Sequence, residues 1–272
     1  MRSVSESAVR TVRFPLVPRR LEVQRVQRVT PRLVRITLGG KALEGFQTLS
    51  PQDHVKLIIP SGGSPLLLPE VTDQGLQFPA GFDRSSMRDY TPRRFDAGAG
   101  ELDLDIVLHG AGLVSTWAEQ VEPGEAAGVL GPRGSHIVEP VFPWYLFAGD
   151  ETALPTIARW LEELPAGTRA IAVIEVADAA EEQKLETAAE LDVHWVHRAA
   201  APGQRDLLET AVRQIALPEG DGFVWAGGEA TALTPIRRYF LRECRLPRER
   251  VEVSGHWKRG VTDWDHHEEI PE

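Results

Sequence analysis

The first half of the chain alternates strand-length apolar runs with turns rich in glycine and proline. The pattern predicts five strands, at Leu21–Thr30, Leu33–Leu38, Asp53–Ile59, Met87–Arg94 and Glu101–Leu108. A further strand is expected around Val129, before the tight turn Gly131-Pro132-Arg133-Gly134. Frequent short strands with such turns and little helix predict a small antiparallel barrel, here a six-stranded barrel of Greek-key type.

After Pro143 the pattern changes to strands that alternate with helices. Strand-length apolar runs occupy Trp144–Ala148, Arg169–Val176, Val193–His197, Gly222–Ala226 and Arg250–Val253. Helix-like stretches lie between them, at Ala153–Leu164, Ala179–Ala189, Arg205–Gln214 and Ala232–Cys244. This alternation predicts a parallel sheet with helices on both faces, the architecture of many nucleotide-binding domains.

Together the two patterns divide the chain into four segments. We expect a flexible arm at residues 1–18, a barrel at 19–140, an α/β domain at 141–255 and a C-terminal tail at 256–272. The arm opens a basic region, because residues 1–35 carry nine arginines against Glu6 and Glu22. Basic arms occur in proteins that bind nucleic acid or anionic membranes. No nucleic-acid motif accompanies this one, which favours a solvated arm.

Composition limits the kinds of site that the chain could carry. Its 42% apolar content, 26% charged content and net charge of −10 are typical of a globular protein. No apolar run approaches the length of about 20 residues that a membrane helix needs, and the N-terminus lacks a signal-peptide core. The single Cys244 excludes an intrachain disulfide and a four-cysteine cluster. The missing signal-peptide core and the single cysteine favour a cytoplasmic protein. His266-His267 lie in a polar tail that offers no rigid metal geometry, so we expect no metal site.

The segment Arg88-Asp89-Tyr90-Thr91 carries the most specific chemistry in the first half. An arginine can bind a phosphate with two parallel donors, and a tyrosine offers an aromatic surface. Strand alternation places Arg88 and Tyr90 on one face and Thr91 on the other. Such a face suits a ligand with a pyrophosphate and a flat heterocycle, as FAD has. An ordinary exposed strand with a satisfied arginine is the alternative.

About two dozen residues later, Gly112-Leu113-Val114-Ser115 predicts the start of a short helix at Ser115–Gln120, with Ser115 as its N-cap. The free backbone N–H groups of a helix start form a ready site for a pyrophosphate. In the second half, Leu146–Pro155 predicts a strand, a turn and a helix start, where a nucleotide would lie. No G-x-G-x-x-G is present, and Asp150 and Glu151 would repel a pyrophosphate, so these residues alone leave that site open.

Five segments resemble, in order, signatures of the siderophore-interacting protein family. These proteins are FAD-dependent ferric-siderophore reductases of the ferredoxin-reductase-type superfamily. The resemblance runs from about Leu21 to Gly260. The segments are Arg88-Asp89-Tyr90-Thr91-Pro92-Arg93, Val107-Leu108-His109-Gly110, Ala148-Gly149-Asp150-Glu151-Thr152-Ala153-Leu154-Pro155, Trp225-Ala226-Gly227-Gly228-Glu229 and Gly255-His256-Trp257-Lys258-Arg259-Gly260.

The resemblance implies a role for each of several groups of residues. FAD would be held by Arg88, Tyr90, Thr91, Arg93, His109, Gly112, Leu113, Val114 and Ser115. The nicotinamide would be bordered by Gly149, Asp150, Glu151, Thr152, Gly227, Gly228 and Glu229. Lys258 and Arg259 would contact the substrate. His109 has a capping or core role as its alternative, and Trp257 is either a lid over the flavin or an anchor on the core.

The implied activity is electron transfer from NADH or NADPH through FAD to a ferric siderophore, with release of Fe(II). A flavin oxidoreductase for another acceptor, or an iron carrier with structural FAD, are the alternatives. Glu175 and Asp178 disfavour the 2′-phosphate of NADPH, whereas Arg198 could bind it, so the donor stays open. We expect no nucleic-acid partner, no membrane insertion and no obligate protein partner.

Overall fold

A computed structural model describes residues 9–61, 63–110, 112–261, 264 and 270, and these form two compact units. The barrel unit spans Val9–Val138, and the sheet unit begins at Glu139. The division thus falls two residues before the predicted end of the barrel. Within the described residues, no helix is both long and apolar enough to cross a membrane.

The barrel unit is built on a curled antiparallel sheet of seven strands in the order β7-β4-β10-β2-β3-β9-β8. Its core lies inside the curl, where Leu102, Leu104 and Ile106 of one strand alternate with outward-facing, buried Asp103 and Asp105. The strands of the unit are β1 (Val9–Arg13), β2 (Pro18–Thr30), β3 (Leu33–Gly39), β4 (Val55–Ile58), β5 (Glu70–Thr72), β6 (Gly75–Gln77), β7 (Met87–Tyr90), β8 (Pro92–Asp96), β9 (Glu101–Val107), β10 (Ala126–Leu130) and β11 (Gly134–Val138).

The antiparallel architecture is confirmed, although the sheet has seven strands where the sequence predicts six. The run Met87–Arg94 is not one strand, because it divides at Thr91 into β7 and β8. Pro92 has no N–H for a sheet hydrogen bond and restricts the residue before it, so the ladder breaks there. The arginine and tyrosine of the first motif therefore lie on β7, at an edge of the sheet.

The prediction of a flexible arm over residues 1–18 is wrong for residues 9–13. These residues form β1, which pairs antiparallel with β11 in the register Val9↔Val138 to Arg13↔Gly134. Val9 and Val12 are half-buried on this strand, while the arginines are exposed. Residue 134 must be glycine, because a Cβ there would collide with the backbone carbonyl of Val12. Residues 1–8 lie outside the described residues.

We expect deletion of residues 1–13 to destabilise the barrel unit, while deletion of residues 1–8 leaves the β1–β11 pair intact. Loss of the pair removes a ladder of five residue pairs and the burial of two valines. The cost should be about 1–2 kcal/mol, or roughly 2–6 °C in Tm. Calorimetry on both truncated proteins measures the difference. Equal Tm values would show that the β1–β11 pair does not contribute to stability.

The sheet unit has five parallel strands in the order β14-β13-β12-β15-β16. Along β12, Tyr145 and Phe147 pack against Trp160 of one helix. Alternate residues of the same strand, Trp144 and Leu146, pack with two other helices in a second apolar cluster. Helices thus cover both faces, as predicted. The strands are β12 (Trp144–Asp150), β13 (Arg169–Val176), β14 (Glu190–His197), β15 (Gly222–Glu229) and β16 (Val251–Trp257).

The helices differ more from the predictions. They are α1 (Leu113–Gln120) in the barrel unit, and α2 (Leu154–Glu163), α3 (Leu207–Gln214) and α4 (Ala230–Arg238) in the sheet unit. The predicted helix Ala179–Ala189 is reduced to a 3₁₀ turn, Ala179–Glu181, capped by Asp178. Its residues favour helix but provide no apolar stripe to pack, and helices in proteins depend mainly on that packing. The predicted helix Ala232–Cys244 changes at Tyr239 into a π-helical turn, Tyr239–Glu243.

The chain beyond residue 255 is not only a tail. Strand β16 continues to Trp257, and Ile270 lies buried in the apolar cluster of the sheet unit. Arg237 of α4 is 9% exposed and donates to the carbonyl oxygen of Ile270. Ile270 is therefore held in the sheet unit both by apolar packing and by the hydrogen bond from Arg237.

Candidate functional site

The start of α1 presents a row of backbone N–H donors in the barrel unit. The helix begins at Leu113, with Gly112 as N-cap at φ +87°, so Ser115 is not the N-cap that the sequence predicts. The first N–H bonded within the helix is that of Thr116, which donates to the carbonyl of Gly112. The N–H groups of Leu113, Val114 and Ser115 precede it, and the first turn carries no carboxylate. These N–H groups can donate hydrogen bonds to an anionic group.

The buried side of α1 holds this helix start in place. Val114 packs in the barrel core, and the Oγ of buried Ser115 accepts a hydrogen bond of 3.2 Å from the N–H of His109. The His109 ring is exposed and lies beside Gly112, where a Cβ would be 3.4 Å from its Cε1. Gly112 thus combines a positive φ with a close approach to the histidine. The two sequence motifs, Val107–Gly110 and Gly112–Ser115, therefore form one local structure, joined by the hydrogen bond between His109 and Ser115.

On β7, Arg88 and Tyr90 leave the strand on the same face, as alternation predicts. The register places Arg88 opposite Leu57 and Tyr90 opposite Val55. Because directly opposed residues share a face, both side chains start on the core side. The Nη1 of Arg88 donates to the carbonyl of Met87 at 2.8 Å, and half-buried Tyr90 packs against the core. Burial raises the pKa of the Tyr90 phenol, and the charge of Arg88 opposes this rise.

The other residues of the first motif are placed differently. Asp89 is on the opposite face and forms an ion pair with Lys56, at 2.8 Å from Nζ to Oδ2. Thr91 occupies the break between β7 and β8. Arg93 already faces a carboxylate, since its Nε lies 3.9 Å from Oδ2 of buried Asp105. Its assignment to the cofactor stays a prediction.

In the sheet unit, the carboxylate of Asp150 joins the ends of three strands. Its Oδ1 accepts hydrogen bonds from the N–H and the hydroxyl of Thr152, at 2.9 and 2.6 Å. Its Oδ2 accepts from the N–H of Glu229 at 2.9 Å and from the indole Nε1 of Trp257 at 2.8 Å. Only 6% of Asp150 is exposed. The residue that the sequence places beside a nucleotide is therefore fully bonded within the protein.

The three glycines of this region are required by packing around Asp150. A Cβ on Gly149 would lie 2.5 Å from both the Cβ of Ala153 and the carbonyl oxygen of Gly227. A Cβ on Gly227 would collide with the Trp225 ring, and one on Gly228 would lie 2.6 Å from Oδ2 of Asp150. Close packing of strand ends thus explains these glycines without an approaching ligand.

The motif Gly255–Gly260 supplies a second set of contacts to the same strand ends. The Nδ1 of His256, a residue that the sequence does not single out, lies 3.2 Å from the hydroxyl of Thr152. Glu229 caps α4 through Ala232 and also accepts a hydrogen bond from the N–H of Arg259. Trp257, whose indole N–H donates to Asp150, is 38% exposed as a residue.

Lys258 and Arg259 are exposed in the turn that follows β16. The turn is closed by a hydrogen bond of 3.1 Å from the N–H of Val261 to the carbonyl of Lys258. The guanidinium of Arg259 lies 5.9 Å from the centre of the Trp257 ring. Because both side chains are exposed, their positive charges are accessible to an anionic molecule from solvent. Among the described residues, no cluster of three histidine, cysteine or acidic residues could hold a metal ion.

Two family profiles match most of the chain. The siderophore-interacting FAD-binding domain matches residues 22–136, and the siderophore-interacting protein profile matches residues 142–260. The chain is 33% identical to an NADPH-dependent ferric-chelate reductase of Escherichia coli over 249 residues, which cover 90% of this chain and 95% of that protein. It is 30% identical to the ferric vibriobactin reductase ViuB of Vibrio cholerae, with 93% of each chain covered.

A solved structure supports the same relationship. The siderophore utilization protein from T. fusca superimposes with a TM-score of 0.87 at 44% sequence identity. The alignment covers 95% of this chain and 99% of that protein. The similarity therefore includes both units described here.

Proposed function

The chain belongs to the siderophore-interacting protein family, and from this we propose that it is an FAD-dependent reductase that uses NADPH to reduce the iron of ferric siderophores. Both units match the family along their lengths, and two relatives are named for the reduction of a ferric chelate. The observation that carries the proposal is the start of α1, because the profile for FAD binding covers it and its donors suit a pyrophosphate.

The residues of the barrel unit fit FAD. The N–H groups of Leu113, Val114 and Ser115 would bind the pyrophosphate, and Gly112 leaves room where a Cβ would approach His109. The guanidinium of Arg88 would add a charge-assisted hydrogen bond, while Tyr90 and Thr91 would border the flavin. The bound FAD would supply the redox chemistry that the side chains lack, which is two-electron uptake as hydride from NADPH and release of the electrons singly to Fe(III).

The other residues of this chain would bind and orient the two substrates. Thr152 and the main chain of Glu229 surround Asp150 at the carboxyl ends of β12 and β15, where nucleotides bind to parallel sheets. Lys258 and Arg259 would attract the anionic groups of the ferric siderophore. A siderophore with hard oxygen donors binds Fe(II) far less tightly than Fe(III), so reduction releases the metal. We place the reaction in the cytoplasm, where NADPH is supplied.

Two measurements on the FAD-loaded protein test the proposed function. Under anaerobic conditions, NADPH should bleach the flavin absorbance, which a carrier with structural FAD would not allow. Addition of a ferric siderophore should then restore the absorbance while a ferrous chelator reports Fe(II). Flavin reduction without reoxidation by the siderophore would instead indicate a flavin oxidoreductase for another acceptor.

We expect Lys258→Ala to raise the KM for an anionic ferric siderophore about three- to tenfold, because the substitution removes an exposed positive charge from the turn that follows β16. A neutral chelate should be affected less, and FAD content and flavin reduction by NADPH should be unchanged. Lys184→Ala is the matched control, since Lys184 is exposed on the same unit but pairs with Glu186. Equal KM values for Lys258→Ala and the wild type would remove Lys258 from the substrate site.

A further inference from the structure

Arg198 and two glutamates form a charged cluster at the carboxyl ends of three neighbouring strands. Glu151 follows β12, Glu175 lies near the end of β13, and Arg198 follows β14. The Nη1 and Nη2 of Arg198 bind the two carboxylate oxygens of Glu151 at 2.8 and 2.5 Å. The Nη1 also lies 3.3 Å from Oε1 of Glu175. One arginine thus serves two carboxylates.

The cluster is partly shielded from solvent. The side chains of Arg198, Glu151 and Glu175 are 33%, 26% and 17% exposed. Burial raises the pKa of the Glu175 carboxyl, and the charge of Arg198 opposes this rise. With all three groups ionised, the cluster carries one excess negative charge. The guanidinium of Arg198 is shared between two carboxylates and remains partly exposed. An anion of higher charge than a carboxylate can therefore reach it from solvent and compete for it.

A second cluster of the same composition shows that position distinguishes the first. Arg213 pairs with Glu209 and Glu243, each at 2.8 Å, on helical segments of the same unit. Of these two clusters, the one around Arg198 lies at the carboxyl ends of parallel strands, the edge at which dinucleotides bind. At the end of the second strand of such sheets, an acidic residue can accept a hydrogen bond from the ribose 2′-hydroxyl of NADH. A nearby arginine can instead bind the 2′-phosphate of NADPH.

We propose that Arg198 recognises the 2′-phosphate of NADPH and that Glu151, which the family resemblance assigns to the nicotinamide end, instead competes with this phosphate for the same guanidinium. The bidentate contact with Glu151 uses the donor pair that a phosphate would use. Glu175, near the end of β13, could then accept a hydrogen bond from a ribose hydroxyl. Because NADH has no 2′-phosphate, the cluster sets the preference between the two donors. This inference rests on the proposed function, since it assigns part of the nucleotide site.

Calorimetric binding of two nucleotides to the full-length, FAD-loaded protein tests the inference. We use adenosine 2′,5′-bisphosphate and AMP, which differ only in the 2′-phosphate. Arg198→Gln should weaken binding of the bisphosphate at least about tenfold, because it removes a charge-assisted bidentate contact. Its effect on AMP should be less than about twofold. Arg213→Gln, the matched control, should change neither affinity.

Glu151→Gln provides a test of opposite sign that leaves the arginine in place. Removal of the competing charge should strengthen binding of the bisphosphate about threefold or more and leave AMP unchanged. The ratio of kcat/KM for NADPH to that for NADH should fall in Arg198→Gln and rise in Glu151→Gln. If the ion pair were merely structural, each substitution would instead change the affinities for the bisphosphate and for AMP by the same factor.

The results separate this inference from the proposed function. If the wild type does not bind the bisphosphate more tightly than AMP, or if Arg198→Gln weakens both equally, the inference is wrong. In that case, reduction of the flavin by NADH or NADPH would still support the proposed function. The opposite outcome is also distinguishable. If neither NADH nor NADPH reduces the flavin, but Arg198→Gln still weakens binding of the bisphosphate and not of AMP, the proposed function is wrong and the phosphate site is supported.

Discussion

Replacement of Asp150 by alanine is expected to destabilise the sheet unit by about 3–5 kcal/mol, a large part of the stability of a typical domain. The substitution leaves four donor groups on three residues without their buried acceptor: the N–H and hydroxyl of Thr152, the N–H of Glu229 and the indole N–H of Trp257. Each buried group left unbonded costs about 1–3 kcal/mol, offset by groups that reach water. Equilibrium unfolding in urea measures the loss.

Two further variants identify the cause. Asp150→Asn keeps one acceptor oxygen and the side-chain shape. Its free energy of unfolding should therefore fall less than that of Asp150→Ala. Asp178→Ala removes an aspartate that accepts one backbone hydrogen bond at a 3₁₀ turn of the same unit. That variant should lose only about 1 kcal/mol. Similar losses for Asp150→Ala and Asp178→Ala would show that the linkage of three strand ends contributes little.

The second large effect concerns the flavin. Arg88→Ala should lower the affinity for FAD at least about tenfold, because a hydrogen bond from a charged group contributes roughly 1.5–3 kcal/mol. Titration of the apoprotein with FAD, followed by quenching of flavin fluorescence, gives the dissociation constant. Since the guanidinium of Arg88 also donates to the carbonyl of Met87, the fold of the variant is checked by its Tm.

Arg94→Ala is the matched control for this prediction. Arg94 lies on the next strand, is about half exposed and pairs with Asp96 at 2.6 Å. Its loss should leave the FAD affinity within about twofold, as expected for an exposed ion pair. Unchanged FAD affinity in Arg88→Ala would show that β7 does not bind the cofactor and that the first motif serves the fold alone.

Local patterns in the sequence predict much of this fold because they arise from burial. The run Trp144–Ala148 reads as a strand since all its residues are buried, and β12 extends it only to Asp150. The same reasoning fails for Ala179–Ala189, where helix-favouring residues lack an apolar partner. It also fails for residues 9–13, because their partner strand lies about 125 residues away and no local pattern reports it.

The candidate site divides in the same way. The motif around Gly112 is readable because a helix start is a local structure with its own residue preferences. The contact between Thr152 and His256 spans 104 residues, and the fourfold bonding of Asp150 joins residues that are far apart in sequence. Sequence places Asp150 in a turn after a strand but cannot show that its carboxylate is satisfied within the protein.

The bond between Asp150 and Trp257 also bears on the order in which a nascent chain can mature. The two residues are 107 positions apart, so a ribosome makes the acceptor long before its last donor. The barrel unit has all its strands by Val138 and can complete its folding while the sheet unit is still being made. The sheet unit must wait for β16, its final strand, before the buried carboxylate is fully bonded. A messenger truncated shortly before codon 257 would therefore yield a mature first unit joined to an unfinished second one.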